Sequence, residues 1–272
     1  MKGISTPLDR AHAAMCANED DAEARLRYFR HFAASELFVL LEHEARGGRI
    51  APLLLEAEGG RYVIAFDRDE RLAAFISRPS PHVALSGRGL AAMLAGQGVG
   101  VVLNPGVADS AWLVPPGALD WLAGILAEEP VQIAGRVQRI LPPAGLSGAL
   151  IQALGETLAA AAGLARSALL AGVVRDDGRR GHMLVFVEAH PAGETALTRA
   201  VHEAVVLSGG GGSDRKGESG APELDVLFLA ADDPVCARFE HWALRFDLSM
   251  PEARRISLPD SETCPSVPPK LR

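Results

Sequence analysis

The sequence predicts an α+β protein: two small mixed domains, each with helices packed on a mainly antiparallel sheet. Three observations lead there. Short apolar runs of strand length alternate with stretches whose apolar residues recur at helical spacing. Each half holds one hairpin signature, around Glu58-Gly59-Gly60 in the first and Asp177-Gly178 in the second. Between the halves, Pro130, Pro142, Pro143 and Gly145 interrupt the periodicity. The expected units are a first domain at 6–127, a linker at 128–146, a second domain at 147–247 and a disordered Pro- and Ser-rich tail at 248–272. A chain of 272 residues has room for two such domains.

The opening stretch MKGISTPLDRAHAAM lacks the apolar core of a signal peptide and reads as a helix start. Asp20, Asp21 and Glu23 precede a helix that sets Leu26, Phe29 and Phe32 on one face. Glu36 to Leu41 is a short apolar strand, and PLLLEAEGGRYVIAF is the first hairpin. Asp67 with Glu70 reads as a capping box ahead of Leu72, Phe75 and Ile76. Ser86 is placed to cap a helix carrying Leu90, Met93 and Leu94. The strand Val99 to Leu103 follows, and Pro115-Pro116 opens a helix with Leu119, Leu122 and Leu126.

Part of the linker, Val131 to Leu141, fits an extended segment. In the second half Ser147 caps a helix with Ile151, Leu154 and Leu158. Ser167–Val174 and Met183–Glu188 form the second hairpin, and Leu197, Val201 and Val205 mark a helix. GGGGSDRKGESGAP reads as a flexible loop before the strand Leu224 to Leu229. Asp233-Pro234 then opens a helix with Val235, Phe239 and Trp242.

Charge and composition narrow the function classes. A net charge of −7 and a pI near 5.6 argue against a nucleic-acid or anionic-membrane partner. No run approaches the roughly 18–20 apolar residues of a membrane span. The three cysteines are far apart without CxxC spacing, so a reduced, cytoplasmic setting is expected. No cofactor and no metal are expected: the eight histidines form no HExxH, and in a strand His43 points away from Glu42 and Glu44. His202-Glu203 has the apolar Val206 at its helical partner position. The glycine-rich loop lacks the Gly-Lys-Ser/Thr order of a phosphate loop, since Lys216 precedes Gly217. Gly145-Leu146-Ser147-Gly148 falls one residue short of a nucleophile elbow. The carboxylate pairs Asp176-Asp177 and Asp232-Asp233 read as a hairpin turn and a helix cap.

One stretch remains, VGVVLNPGVADSAWLVPPGAL. Asn104-Pro105-Gly106 is turn chemistry directly after a buried strand, where ligands of α/β sheets often sit. As a corner, the segment explains nearly all its residues. As a ligand site, Asn104 would orient a polar group, with Ser110 as donor and Asp109 as acceptor. His82 in PSPHVALSG would join if the sheet brings its loop near.

Three segments together, RYFRHFAASELFVLLEHE, IAFDRDERLAAF and GVGVVLNPGVADSAWLVPPGALDWL, resemble the SseB family, named for enhanced serine sensitivity. This likeness runs from about Thr6 to Leu126. LARSALLAGVVRDDGRRGHMLVF carries a looser resemblance to the family's C-terminal domain, from about Ser147 to Asp247. The resemblance brings no catalytic residue with it. The expected function is a non-catalytic cytoplasmic protein that binds another protein, as an interaction or regulatory module linked to amino-acid (serine) metabolism. The alternative is a small-metabolite-binding protein or enzyme with its pocket at the Asn104–Ser110 loop.

Overall fold

Two mixed sheets organise the chain in a computed structural model that describes residues 5–18, 20–45, 50–57, 59–127, 137–210 and 224–248. The Thr6 hydroxyl starts α1 (Pro7–Ala17) by accepting from the Asp9 amide, and the Asp9 carboxylate returns the bond to the Thr6 N–H. Asp21 caps α2 (Ala22–Ala34), which buries Tyr28, Phe29 and Phe32. The first half continues with β1 (Glu36–Leu40), β2 (Leu54–Ala57), β3 (Gly60–Phe66), α3 (Asp69–Phe75) and β4 (His82–Ser86). It ends with α4 (Gly87–Leu94), β5 (Val99–Leu103), β6 (Trp112–Val114) and α5 (Pro116–Ala127).

The first sheet runs β4-β1-β3-β5-β6, with β2 also on β3. β3 and β5 are parallel, from Arg61↔Val99 to Ala65↔Leu103, and the other pairings are antiparallel. Alternation along β3 divides the core. Val63 and Ala65 join Leu37, Val39, Leu90, Leu119 and Phe32 on the helix-covered face. Ile64 and Phe66 pack with Leu40 and Leu72 on the opposite face, under α3. Where α2 meets α4 the backbones touch: a Cβ on Gly87 would stand 1.8 Å from the Phe32 carbonyl oxygen, so only glycine fits.

The second half holds β7 (Val137–Leu141), α6 (Gly148–Ala160), β8 (Ser167–Arg175), β9 (Arg180–Val187) and α7 (Glu194–Val205). β10 (Leu224–Leu229), α8 (Pro234–Glu240) and β11 (Leu244–Asp247) complete it. The strand order is β10-β9-β8-β11, with β7 also on β8, and β9 and β10 are parallel. β8 is buried almost throughout because both of its faces are covered. Leu154, Leu170, Phe186 and Leu197 fill one side, and Val173, Val185 and Phe239 the other.

The α+β class and the two mainly antiparallel sheets are as the sequence predicts; four details differ. The N-cap of α3 is Arg68, with no side-chain cap, so Asp67 and Glu70 do not form a capping box: Glu70 bonds Arg68, and Asp67 is engaged elsewhere. His82–Ser86 is a strand and not a loop; none of its residues is fully buried, and its apolar run, Val83-Ala84-Leu85, is too short to mark a strand. Residues 137–141 of the expected linker are a strand of the second sheet, paired with β8 from Val137↔Arg175 to Leu141↔Gly172. β11 was also not foreseen, since only its Phe246 is better than exposed. The glycine-rich loop beyond Gly210 and the tail beyond Leu248 lie outside the described residues.

The halves share packing. Leu207, in the π turn Val206–Gly210 that follows α7, is 1% exposed and belongs to the core of the first half. Among the described residues, Arg30–Glu156 and Arg88–Glu203 also pair across the halves, each at 2.5 Å.

Candidate functional site

Asn104 leaves β5 with φ +50°, a left-handed conformation that asparagine tolerates better than most residues. It is fully buried. Its N–H donates to Ala65 O at 2.9 Å, which carries the parallel ladder one step past β5. Its carbonyl accepts from Val107 N at 3.3 Å, closing the turn. The side chain then does two further things. Oδ1 accepts from the Asp67 N–H at 3.1 Å, and Nδ2 donates to Ser110 Oγ at 3.3 Å.

From Ser110 the network reaches α1. Ser110 Oγ donates to Asp9 Oδ1 at 2.5 Å. Arg71 on α3 grips Asp9 through both guanidinium nitrogens, at 2.9 and 2.5 Å, and also donates to Asp67 Oδ1 at 2.7 Å. Thr6 completes the ring: its N–H donates to Asp9 Oδ2 and its hydroxyl to Asp67 Oδ2, each at 2.8 Å. All four oxygens of the two carboxylates therefore have donors. The group joins α1, the β3–α3 corner and the β5–β6 loop at the carboxyl ends of the parallel pair.

Electrostatics follow the geometry. Burial alone would raise the Asp9 carboxyl, but the Arg71 and Ser110 bonds and the Thr6 N–H hold it well below the usual carboxylate range. Tyr28 lies fully buried beneath, edge-on to Trp112 at 4.9 Å, with its hydroxyl unpaired. Burial, with Asp67 and Cys16 adding to it, pushes the Tyr28 phenol far above its ordinary value. Burial likewise lowers His12, against the pull of Asp9, and the Cys16 thiol lies 3.6 Å from its Nε2.

Of the four residues expected at the site, the structure brings Asn104 and Ser110 together. Asp109 is exposed and has no hydrogen bond among the described residues. His82 sits on the outermost strand, with β1 and β3 between it and β5. Its Nδ1 is 3.1 Å from Ser80 O and its ring lies 6.3 Å from that of Phe38. The residues that sequence reasoning missed are Thr6, Asp9, Asp67 and Arg71. Only the Thr6-x-x-Asp9 capping pattern carried a local signal.

Among the described residues, no group of three or more His, Cys, Asp or Glu side chains could hold a metal ion. Nor is any described helix long and apolar enough to cross a membrane. No curated protein and no solved structure matches the chain. Residues 8–118 match the family model described as SseB protein N-terminal domain. That segment runs from α1 into α5 and contains every member of the Asn104 network except Thr6, so the first half of the chain is similar to the SseB protein N-terminal domain.

Proposed function

We propose that this chain is a non-catalytic, cytoplasmic protein-binding module with a regulatory part in amino-acid metabolism, and that its second half is the family's C-terminal domain. The observation that carries the reading is β2 and the residue before it. Leu53, Leu54 and Leu55 are 38%, 42% and 40% exposed; the Leu53 N–H is taken by Leu40 O at 2.9 Å, while β2 itself pairs, among the described strands, only with β3. Three consecutive exposed leucines, two of them on β2 with a strand edge that has no partner among the described residues, suit an extended segment of a partner protein. The main chain of β2 would supply hydrogen bonds and the leucines apolar contact. The metabolic setting, with serine first, rests on the family's name.

The Asn104 corner supports this reading by being closed. A metabolite using the Asn104 amide or the Ser110 hydroxyl would first have to displace Asp67 or Asp9 from bonds already made. The test is affinity capture of the tagged full chain from its own lysate, beside a Leu53→Glu/Leu55→Glu variant with unchanged thermal unfolding. The expected result is a near-stoichiometric partner, displaced by untagged protein and lost in the variant. A partner retained by the variant, or no partner at all, overturns the proposal.

A further inference from the structure

Between the two halves lies a cavity of about 820 Å³ whose opposite walls differ in chemistry. Its volume falls within the roughly 300–1,000 Å³ of small-molecule sites. The wall from the first half is cationic: Arg10 on α1, Arg27, Arg30 and His31 on α2, and Arg88 on α4. The wall from the second half carries a small apolar patch, Ala160 on α6 and Ala196 and Ala200 on α7, flanked by the acids Glu156 and Glu203 and the polar Gln152 and Thr157.

The charges do not cancel. Arg30 is paired with Glu156 and Arg88 with Glu203, each across the cavity between the halves. Arg10 makes only a bond to the Ser5 carbonyl, and Arg27 has no carboxylate partner among the described residues. Two guanidinium groups are thus left over on one wall of a protein whose net charge is −7. Their crowding is felt locally: burial and Arg30, with Arg10 and Arg27 adding to them against Glu156, lower the His31 pKa. Guanidinium groups match the two-oxygen geometry of a carboxylate or phosphate, and a low-dielectric wall opposite them focuses their field.

We propose that this cavity binds a single-chain anionic amphiphile, its carboxylate or phosphate head held by Arg10 and Arg27 and its apolar chain laid over the alanine wall. Such a ligand would touch both halves at once and tighten their contact. The site is separate from the β2 edge, so the two proposals stand or fall independently.

Titration calorimetry of the full chain with sodium decanoate, below its micelle concentration, tests this. The expected result is saturable one-to-one binding, weakened at least tenfold by Arg27→Glu and by Arg10→Glu. Neither arginine bridges the halves, so both variants should keep the wild-type melting temperature. Ala200→Leu, which fills the apolar wall without touching charge, should weaken binding as well. Decanol and decyltrimethylammonium should bind at least tenfold more weakly than decanoate. Absence of saturable decanoate binding overturns the proposal, as does equal binding by the arginine variants or by the cationic analogue. Sedimentation with vesicles of anionic lipid separates the two sources of the head group. Chain that binds vesicles but not monomeric decanoate would place the arginines on a lipid surface and overturn the small-ligand site.

Discussion

In the first half the central strand β3 runs antiparallel to β1 and parallel to β5; in the second, β9 runs antiparallel to β8 and parallel to β10. In each half, a helix leads into the antiparallel pair and another precedes the parallel strand. The halves part company where the parallel pair ends. In the second, Glu188 N donates directly to Leu229 O at 2.9 Å, so backbone alone closes the ladder. In the first, the ladder runs on to Asp67, whose N–H is received by the Asn104 side chain, and that side chain leads on to Ser110, Asp9 and Arg71. The helix so attached, α1, has no counterpart among the described residues of the second half. The second half instead buries its ion pair at the other end of its parallel strands. There Arg175, 1% exposed on β8, meets Asp225 on β10 at 2.5 Å. A polar cluster at a strand end therefore serves here to fasten an added helix, and where no helix was added the backbone suffices.

The largest expected effect comes from cutting each cluster at its cation. Arg175→Ala should cost about 3 kcal/mol or somewhat more, because it takes the guanidinium from the half-buried Asp225 carboxylate and leaves a void where a fully buried side chain stood. Arg71→Ala, at a site with more access to water, should cost about 3 kcal/mol. Urea unfolding measures both, and a larger loss from Arg71→Ala would reverse the ranking of the two clusters.

The two left-handed residues sharpen the comparison next. Asn104 (φ +50°) and Glu188 (φ +52°) share a conformation, but only the Asn104 side chain has a buried task. Asn104→Gly should cost about 1–3 kcal/mol for the lost bonds. Asn104→Ala should cost about 1–2 kcal/mol more for the left-handed alanine. Glu188→Gly should leave the urea midpoint unchanged or raise it, since it relieves the same strain and breaks only a 3.6 Å exposed contact to Arg166. A comparable loss at Glu188 would show that backbone geometry, not the side-chain bonds, is what matters at Asn104.

Acid gives the gentlest probe. The folded Asp9 carboxyl is held below its unfolded value, so its stabilisation is fully present above an unfolded pKa of about 4. It is lost as the pH falls below that point toward the folded value. Melting temperature followed from pH 7 to pH 3 should drop on the acid side, and Asp9→Asn should flatten part of that drop while lowering stability at pH 7. An unchanged slope in Asp9→Asn would mean that other carboxylates carry the acid response.

Much of this plan was legible in the chain. Helices with a strong apolar stripe, such as α4 and α7, and strands with continuous apolar runs, such as β5 and β8, announce themselves because burial writes directly into residue type. The edges do not: β4 alternates between exposed and half-buried, and water accepts any residue there. Asn104 was recognisable as a corner because Asn-Pro-Gly is local turn chemistry. Ser110, six residues on in the same loop, was legible with it; Asp9 and Asp67 were not, because they come from two other segments and meet the loop only once the sheet has formed. The local signal even misled at Asp67, where the spacing to Glu70 imitates a cap while the carboxylate answers to Arg71 and Thr6.

Leu207 has a consequence in time. It fills the core of the first half, yet it lies about 80 residues beyond the end of α5, so at a synthesis rate of roughly 5–20 residues per second it is made on the order of 4–16 s later. A nascent first half therefore waits on the ribosome with one core position open beside α2, until the second half delivers the side chain that closes it.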